Sequence, residues 1–215
     1  MSAQPRRADA RRNLDRVVRA GIAAFEDLGD TPSLEEVARR AGVGIATVYR
    51  LVGGREGLVR AAFEAFFAEE IEPLALTART AADPWRALTH ALAATVERMA
   101  AHRVLLAAAH RSGAVSVDTA ERYLGPLAHA LAAAQHAGQA RPDLLVRDLA
   151  AIVVMALATT HPGDPDGLDR RRYLALLLDG ARPGTRPPQP LPPPAPRPAP
   201  ARAAAQADQH HSKEV

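Results

Sequence analysis

The 215-residue chain contains no cysteine, which excludes a disulfide framework and any chemistry that needs a thiolate. Aromatic residues make up only 4% of the chain although 47% of its residues are hydrophobic, because alanine and leucine supply most of the hydrophobic content. Both residues favour helices, and no segment alternates in polarity for long enough to predict a β-strand. The composition therefore predicts an all-α protein.

The sequence also lacks an apolar run of membrane-spanning length and a signal peptide at its start, so we expect a soluble, cytoplasmic protein. The net charge is only +3, but the charges are distributed unevenly. The first 25 residues carry six arginines against two aspartates, whereas residues 61–180 carry more acidic residues than arginines. This asymmetry indicates either an anion-binding amino-terminal part or a solvated helix face, and the charge alone leaves both open.

Near the amino terminus, the pattern predicts two helices, a tight turn and a third helix. Apolar residues at helical spacing predict the first helix over residues 10–28. Ser33 is predicted to be the N-cap of a short second helix, and Glu36 completes a capping box. Gly42 is expected to end that helix in a left-handed conformation, and a third helix is predicted over residues 45–51. This is the layout of a helix-turn-helix, in which the last helix enters the DNA major groove.

The third helix and its surroundings carry side chains that suit a duplex. Arg50 can pair with a guanine edge or a phosphate, and the hydroxyl groups of Thr47 and Tyr49 can donate to phosphates. Arg55 begins a fourth helix, where its charge and free backbone amides can meet one phosphate together. The predicted DNA-binding residues are Ser33, Gly44, Ile45, Ala46, Thr47, Tyr49, Arg50 and Arg55. A helical hairpin with a polar face is the alternative interpretation.

Further helices predicted after residue 55 bring the total to about nine, in a larger ligand-binding and dimerisation domain over residues 56–182. The helix-turn-helix domain occupies residues 1–55. Residues 183–215 are rich in proline and alanine, and we expect a disordered or polyproline II tail there. Its PxxP spacing could engage a groove, although a passive tail is the simpler expectation.

Two helices near residues 143–160 and 168–181 are the most continuously apolar, so they are predicted to pair with a second copy as a four-helix bundle. Bulky or polar residues on the surrounding helices are candidates for an effector cavity. These candidates are Phe66, Trp85, His90, Met99, His102, His110, Tyr123 and Met155. Each of them could equally be an ordinary core residue.

Motifs of enzymes are missing from the chain. The stretch GVGIAT lacks the third glycine of a dinucleotide fingerprint and follows a helix rather than a strand. No paired titratable groups indicate acid–base catalysis. A metal site built from His129 and His136 with His90, His102 or His110 is conceivable, but ordinary surface or core histidines are the simpler explanation. The sequence therefore predicts no enzyme, no cofactor and no metal.

Residues 10–61 resemble the amino-terminal domain of the TetR family of transcriptional repressors. The matching residues are Phe25, Gly29, Ser33, Val37, Ala38, Ala41, Gly42, Val43, Thr47, Val48, Tyr49, Arg50 and Leu58. This resemblance implies a homodimer that binds a palindromic DNA operator and carries a small-molecule site in its later helices. A ligand-responsive repressor released by its effector is therefore the predicted function, and a helical small-molecule sensor without DNA binding is the alternative.

The chain departs from the family pattern at three positions. Gly44 stands where a serine-like cap is frequent, Val52 where phenylalanine is usual, and Arg55 where lysine is usual. Glycine as an N-cap costs only a few tenths of a kcal/mol, and arginine keeps the positive charge. The implied phosphate contacts of Thr47, Tyr49 and Arg55 survive these changes, whereas base specificity does not follow.

Overall fold

The computed structural model describes residues 3–28, 32–184 and 190–193, and no residue in these ranges lies in a β-strand. The helices are α1 (Ala3–Leu28), α2 (Leu34–Ala41), α3 (Ile45–Val52), α4 (Arg55–Phe66), α5 (Glu72–Arg79), α6 (Pro84–Ala101), α7 (Arg103–Arg111), α8 (Val117–His136), α9 (Val146–Ala158) and α10 (Leu168–Gly180). A π-helical segment, Phe67–Ile71, joins α4 to α5. When this continuous stretch is counted as one helix, the described part of the chain has nine, which confirms the predicted all-α fold.

Helices α1, α2 and α3 enclose a small core with the start of α4. Val17, Val37, Val48 and Leu58 are all fully buried there. Helix α4 approaches α1 closely at Gly21, where an added Cβ atom would lie 2.9 Å from Leu58 Cδ1. A side chain at that position would require the buried Leu58 side chain to shift, because packed interiors have few gaps to absorb it.

The corner between α2 and α3 forms as the sequence predicts. Gly42 adopts the left-handed conformation at φ 64°, and the N–H of Val43 donates to the carbonyl of Ala38 at 3.1 Å. These contacts satisfy carbonyl groups at the end of α2. Two further glycines with positive φ, Gly53 and Gly54, end α3 and lead into α4. The turn chemistry thus fixes the direction in which α3 leaves the domain.

A second, larger hydrophobic core lies among helices α4 to α10. Its fully buried members include Phe66, Leu92, Leu127 and Leu149. Phe25 of α1 belongs to this core as well, so α1 contributes to both clusters. The amino-terminal unit is therefore packed directly against the body.

An ion-pair network spans the π-helical segment. Arg122 of α8 contacts Glu64 before the segment and Glu72 after it, each at 2.7 Å, and Asp118 within its own helix at 2.8 Å. Thr119 also donates its hydroxyl to Glu64 at 2.7 Å. These bonds tie α8 to both ends of the widened helical turn.

Several helix boundaries differ from the sequence predictions. Helix α1 begins at Ala3 rather than near residue 10, because Pro5 is tolerated within a first turn. The predicted start of α9 at residue 143 is wrong, since α9 begins at Val146. The Asp148 carboxylate accepts the N–H of Leu145 at 2.8 Å and so defines the new start.

The predicted capping box at α2 is only half present. The hydroxyl of Ser33 accepts the N–H of Glu36 at 3.2 Å, as predicted. The Glu36 carboxylate instead binds Arg39 and Arg40, because two guanidinium groups of the same helix outcompete a single backbone amide.

Some predictions fall outside the described residues. They include the end of the first helix at Gly29 and Asp30 and most of the proline-rich segment. Residues 190–193 of that segment are described, and they contact the body rather than standing free. None of the described helices combines the length and hydrophobicity needed to cross a membrane.

Candidate nucleic-acid interface and ligand cavities

Helix α3 has one buried and one exposed side. Val48 is fully buried against α1, whereas Tyr49 is 53% exposed and Arg50 is exposed beside it. Ile45 is also exposed, and Thr47 is half-buried. The buried valine therefore anchors the helix while hydroxyl, guanidinium and apolar groups of its other side point away from the fold.

Open backbone amides accompany these side chains at two helix starts. Gly44, the N-cap of α3, has an extended backbone and no side chain to occupy the first-turn amides. Gly54 is likewise the N-cap of α4, whose first residue is Arg55, and it makes no side-chain hydrogen bond to the first turn. Uncapped helix starts carry a partial positive charge that favours anions. Ser33 differs, since its hydroxyl oxygen already caps α2.

The charges on α2 are largely engaged with one another. Glu36 binds Arg39 through two hydrogen bonds and Arg40 through a third, and Arg40 also contacts Asp27. Hydrogen bonds from Arg39, and then from Arg40, lower the pKa of Glu36 to about 2. The arginines of α2 are thus held in a local network, whereas Tyr49 and Arg50 of α3 are exposed.

The predicted effector residues do not surround one cavity. Phe66, Trp85 and Tyr123 are buried in the larger core, and the Tyr123 hydroxyl donates to Thr95 at 2.9 Å. Burial raises the pKa of Tyr123 to about 12, although the bond to Thr95 opposes the effect. Met99 is half-buried against that core, while the remaining candidates lie elsewhere: His90, His102, His110 and Met155.

His102 lies at the junction between α1 and the body. It is buried, its ring centroid lies 4.3 Å from that of Phe66, and its Nδ1 is 3.0 Å from Glu26 Oε1. Nε2 is 3.4 Å from Glu70 Oε1. Nδ1 lies close to the Glu26 carboxylate without a well-aligned hydrogen bond. His102 therefore bridges the amino-terminal unit and the π-helical segment, beside a small cavity of about 120 Å³.

A groove with a volume of about 780 Å³ lies between α6 and α10. Of the predicted effector residues, only His90 lines it. The apolar walls come from Ala87, Ala93, Leu174, Ala175 and Leu178, and the polar groups from Asp83, Arg86, Thr89 and Arg171. The sequence analysis missed these groups because their proximity depends on how α10 packs against α6. The only local signal was the run of arginines at 170–172.

Known proteins with similar sequence and structure identify the family. The sequence model described as "Transcriptional regulator SbtR-like, C-terminal domain", of the TetR type, matches residues 83–183. A TetR transcription regulatory protein from Mycobacterium vanbaalenii is 32% identical, covers 82% of this chain and 98% of its own, and superposes with a TM-score of 0.59. The chain belongs to the TetR family of transcriptional regulators.

Other solved structures share this fold. The regulator SCO0520 from Streptomyces coelicolor is 26% identical over 79% of this chain and 98% of its own, with a TM-score of 0.56. The ketosteroid regulator KstR2 of Mycobacterium tuberculosis shares the fold at 19% identity, over 79% of this chain and 94% of its own, with a TM-score of 0.56. No curated protein sequence matches the chain. TetR regulators are DNA-binding transcription factors and not enzymes, so this chain is a transcription regulator.

Proposed function

We propose that this TetR regulator is a repressor that binds a palindromic DNA operator as a homodimer and is released by a small-molecule effector. The observation that carries the proposal is the orientation of α3, whose Val48 is buried while Tyr49 and Arg50 are exposed. A recognition helix needs this combination, because it must be rigidly supported and still present polar groups to a groove.

The proposed roles of the DNA-binding residues follow from their chemistry. Thr47 and Tyr49 donate hydroxyl groups to phosphates, and Arg55 adds its charge at the uncapped start of α4. Arg50 contacts a base edge or a phosphate. Four residues at the starts of α2 and α3 complete the surface: Ser33, Gly44, Ile45 and Ala46. Ile45 and Ala46 suit apolar contact with thymine methyl groups.

The homodimer is proposed through α9 and α10. Their outward sides carry large apolar residues that the described chain does not cover: Val154 is 64% exposed, Met155 47% and Leu176 60%. Tyr173 adds an exposed aromatic ring. A monomer rarely exposes apolar residues clustered in this way, and pairing two such helix pairs forms a four-helix bundle. Two recognition helices would then reach successive major grooves about 34 Å apart.

The groove between α6 and α10 is proposed as the effector site. Its volume of about 780 Å³ is that of a small-molecule site, and its walls combine apolar residues with a few polar groups, including His90 and Arg171. The groove shares α10 with the proposed dimer face. An effector bound there could therefore alter the angle between the two copies.

The proposed release mechanism is a shift between two dimer conformations. Effector binding stabilises the conformation whose recognition helices do not match adjacent major grooves, and this requires different effector affinities for the two conformations. The His102 bridge to Glu26 and Glu70 gives movements of the body a direct contact with α1. Coupling between the two sites is reciprocal, so operator DNA weakens effector binding by the same factor.

Selection of DNA from a random library by the full-length protein tests the proposal. A repressor should enrich one palindromic sequence, and its affinity for that sequence should fall by several orders of magnitude between 50 and 200 mM salt if about 6–10 phosphates are contacted. The alternative, a small-molecule sensor without DNA binding, predicts no enriched sequence and no salt-dependent complex.

A further inference from the structure

The loop between α8 and α9 and part of the proline-rich segment line one groove beside α9 and α10. The backbone N–H of Leu191 donates to Oδ2 of Asp143 at 2.9 Å. Leu191, Pro192 and Pro193 line one side of this groove, whose open volume is about 580 Å³. Its other apolar lining comes from Leu145, at the N-cap of α9, and from Ala151, Ile152, Met155 and Leu177.

Arg141 orients the acceptor of this contact. Arg141 binds the Asp143 carboxylate through two hydrogen bonds, of 3.0 Å from Nε and 2.9 Å from a terminal nitrogen. Bidentate pairing of this kind fixes the orientation of a carboxylate. The hydrogen bonds from Arg141, followed by the bond from the Leu191 amide, keep the pKa of Asp143 well below its usual value. The groove therefore presents an oriented negative charge to the segment.

The loop that carries Asp143 is itself fixed to the body. The side-chain amide of Gln135 donates to the carbonyl groups of Arg141 and Leu144, at 2.9 Å each. The N–H of Arg141 donates to the carbonyl of Ala181 at the end of α10, at 3.0 Å. These bonds connect the loop to α8 and α10, so the acceptor rests on a rigid frame.

The sequence of the segment matches this single acceptor. Residues 190–194 read PLPPP, and proline has no backbone N–H, so Leu191 holds the only amide donor in the run. That donor is the one used by Asp143. Proline-rich chains are already extended as polyproline II, so docking them costs little conformational entropy. Leu191 itself remains 44% exposed, so its backbone amide rather than its side chain makes the defined contact.

We propose that this groove is a docking site for the chain's own proline-rich segment, with Leu191 as the anchor and Asp143 as its acceptor. The segment is then a strap across the edge of α9 and α10 rather than a passive tail. The proposal goes beyond the regulatory function and does not depend on DNA binding. Because Met155 belongs both to the groove wall and to the exposed face of α9, the strap flanks the proposed dimer interface.

Amide hydrogen exchange in the full-length, ¹⁵N-leucine-labelled protein tests the docking directly. A hydrogen bond to a charged acceptor should slow exchange of the Leu191 amide at least tenfold relative to a free peptide of residues 186–198. Asp143→Ala should abolish this protection, whereas Asp166→Asn, in the loop before α10, should preserve it. A Leu191 amide that exchanges as fast in the protein as in the peptide would overturn the proposal.

A second variant removes the donor and leaves the Asp143–Arg141 pair intact. Leu191→Pro keeps the extended backbone and lies outside every helix, so it does not threaten folding. Titration of the Asp143 carboxyl carbon by NMR should give a higher pKa in this variant than in the unaltered protein, because one stabilising hydrogen bond is lost. An unchanged Asp143 pKa would show that Leu191 does not dock there.

Mixed dimers separate docking within one chain from exchange between two copies. Labelled unaltered protein is dissociated and reassociated with an excess of unlabelled Asp143→Ala protein. Docking within the chain predicts that the labelled Leu191 amide stays protected, because its own Asp143 is intact. Loss of protection in the mixed dimers would mean that the segment docks on the partner copy, which contradicts the proposal.

Discussion

At the scale of single residues, two glycines precede α3, and they differ in backbone conformation. Gly42 has φ 64°, a left-handed conformation that side chains disfavour, and it starts the turn after α2. Gly44 has φ −69° and ψ 147°, which any residue adopts, and nothing lies within 4 Å of an added Cβ atom. Only the first glycine is required by backbone geometry.

Substituting these two glycines separates the requirements. Gly42→Ala should lower the free energy of unfolding by about 1–2 kcal/mol, because alanine resists the left-handed conformation. Gly44→Ser should be neutral or stabilising by a few tenths of a kcal/mol, since serine is a good N-cap. Urea denaturation of both variants measures the difference, and equal effects would contradict the turn geometry described above.

The roles of single residues could be predicted from sequence where they depend on local features. Gly42 and the Ser33 cap are local features, so their roles were predicted correctly. His102 was predicted as an effector contact, whereas the structure places it between Glu26 and Glu70, residues far away in sequence. Which partners surround a histidine depends on tertiary packing, which periodicity does not contain.

At the scale of elements, the Arg122 network holds α8 against the stretch of helix from α4 to α5. Burial alone would raise the pKa of Glu64, but hydrogen bonds from Thr119 and Arg122 outweigh it and leave the pKa below its ordinary value of 4.5. A lowered carboxyl pKa stabilises the folded state above the ordinary pKa. That contribution disappears as the pH falls through the pKa of the folded state.

Glu64→Gln tests this contribution. At pH 7 the substitution should lower the free energy of unfolding by about 0.5 kcal/mol, a small value because the Glu64 side chain is 37% exposed and solvent screens its charge. The difference from the unaltered protein should shrink as the pH falls below 4.5. Glu121→Gln, on the exposed side of α8, should have no comparable effect. A deficit that persists unchanged at low pH would contradict the ion-pair explanation.

The existence of these helices could be predicted from sequence, because apolar residues recur at helical spacing along each of them. The start of α9 could not be predicted, because the sequence at Pro142 and Asp143 resembles the beginning of a helix. In the fold Asp143 binds Arg141 and Leu191 instead, and the helix starts three residues later, at Val146. A helix start predicted from the local sequence can therefore be wrong where a residue distant in sequence supplies the hydrogen-bond partner.

At the scale of the whole molecule, we expect the exposed apolar side of α9 and α10 to decide the oligomeric state. Leu176→Glu should convert the proposed dimer to a monomer, because a buried, unpaired carboxylate in the interface is costly. Light scattering coupled to size-exclusion chromatography measures the mass. Val117→Glu, which alters an even more exposed residue at the start of α8, should leave the dimer intact. A monomeric unaltered protein would contradict the proposed assembly.

The central claim, that α3 and the start of α4 dock on DNA, is tested most directly by operator affinity at physiological salt. Tyr49→Ala and Arg55→Ala should each weaken binding about tenfold, and Arg55→Ala should also reduce the slope of log affinity against log salt by about one. Arg79→Ala, at the far end of the same helical stretch, removes an equal charge and should change neither quantity. If Tyr49→Ala and Arg55→Ala bind the operator as tightly as the unaltered protein, the docking surface described here is wrong.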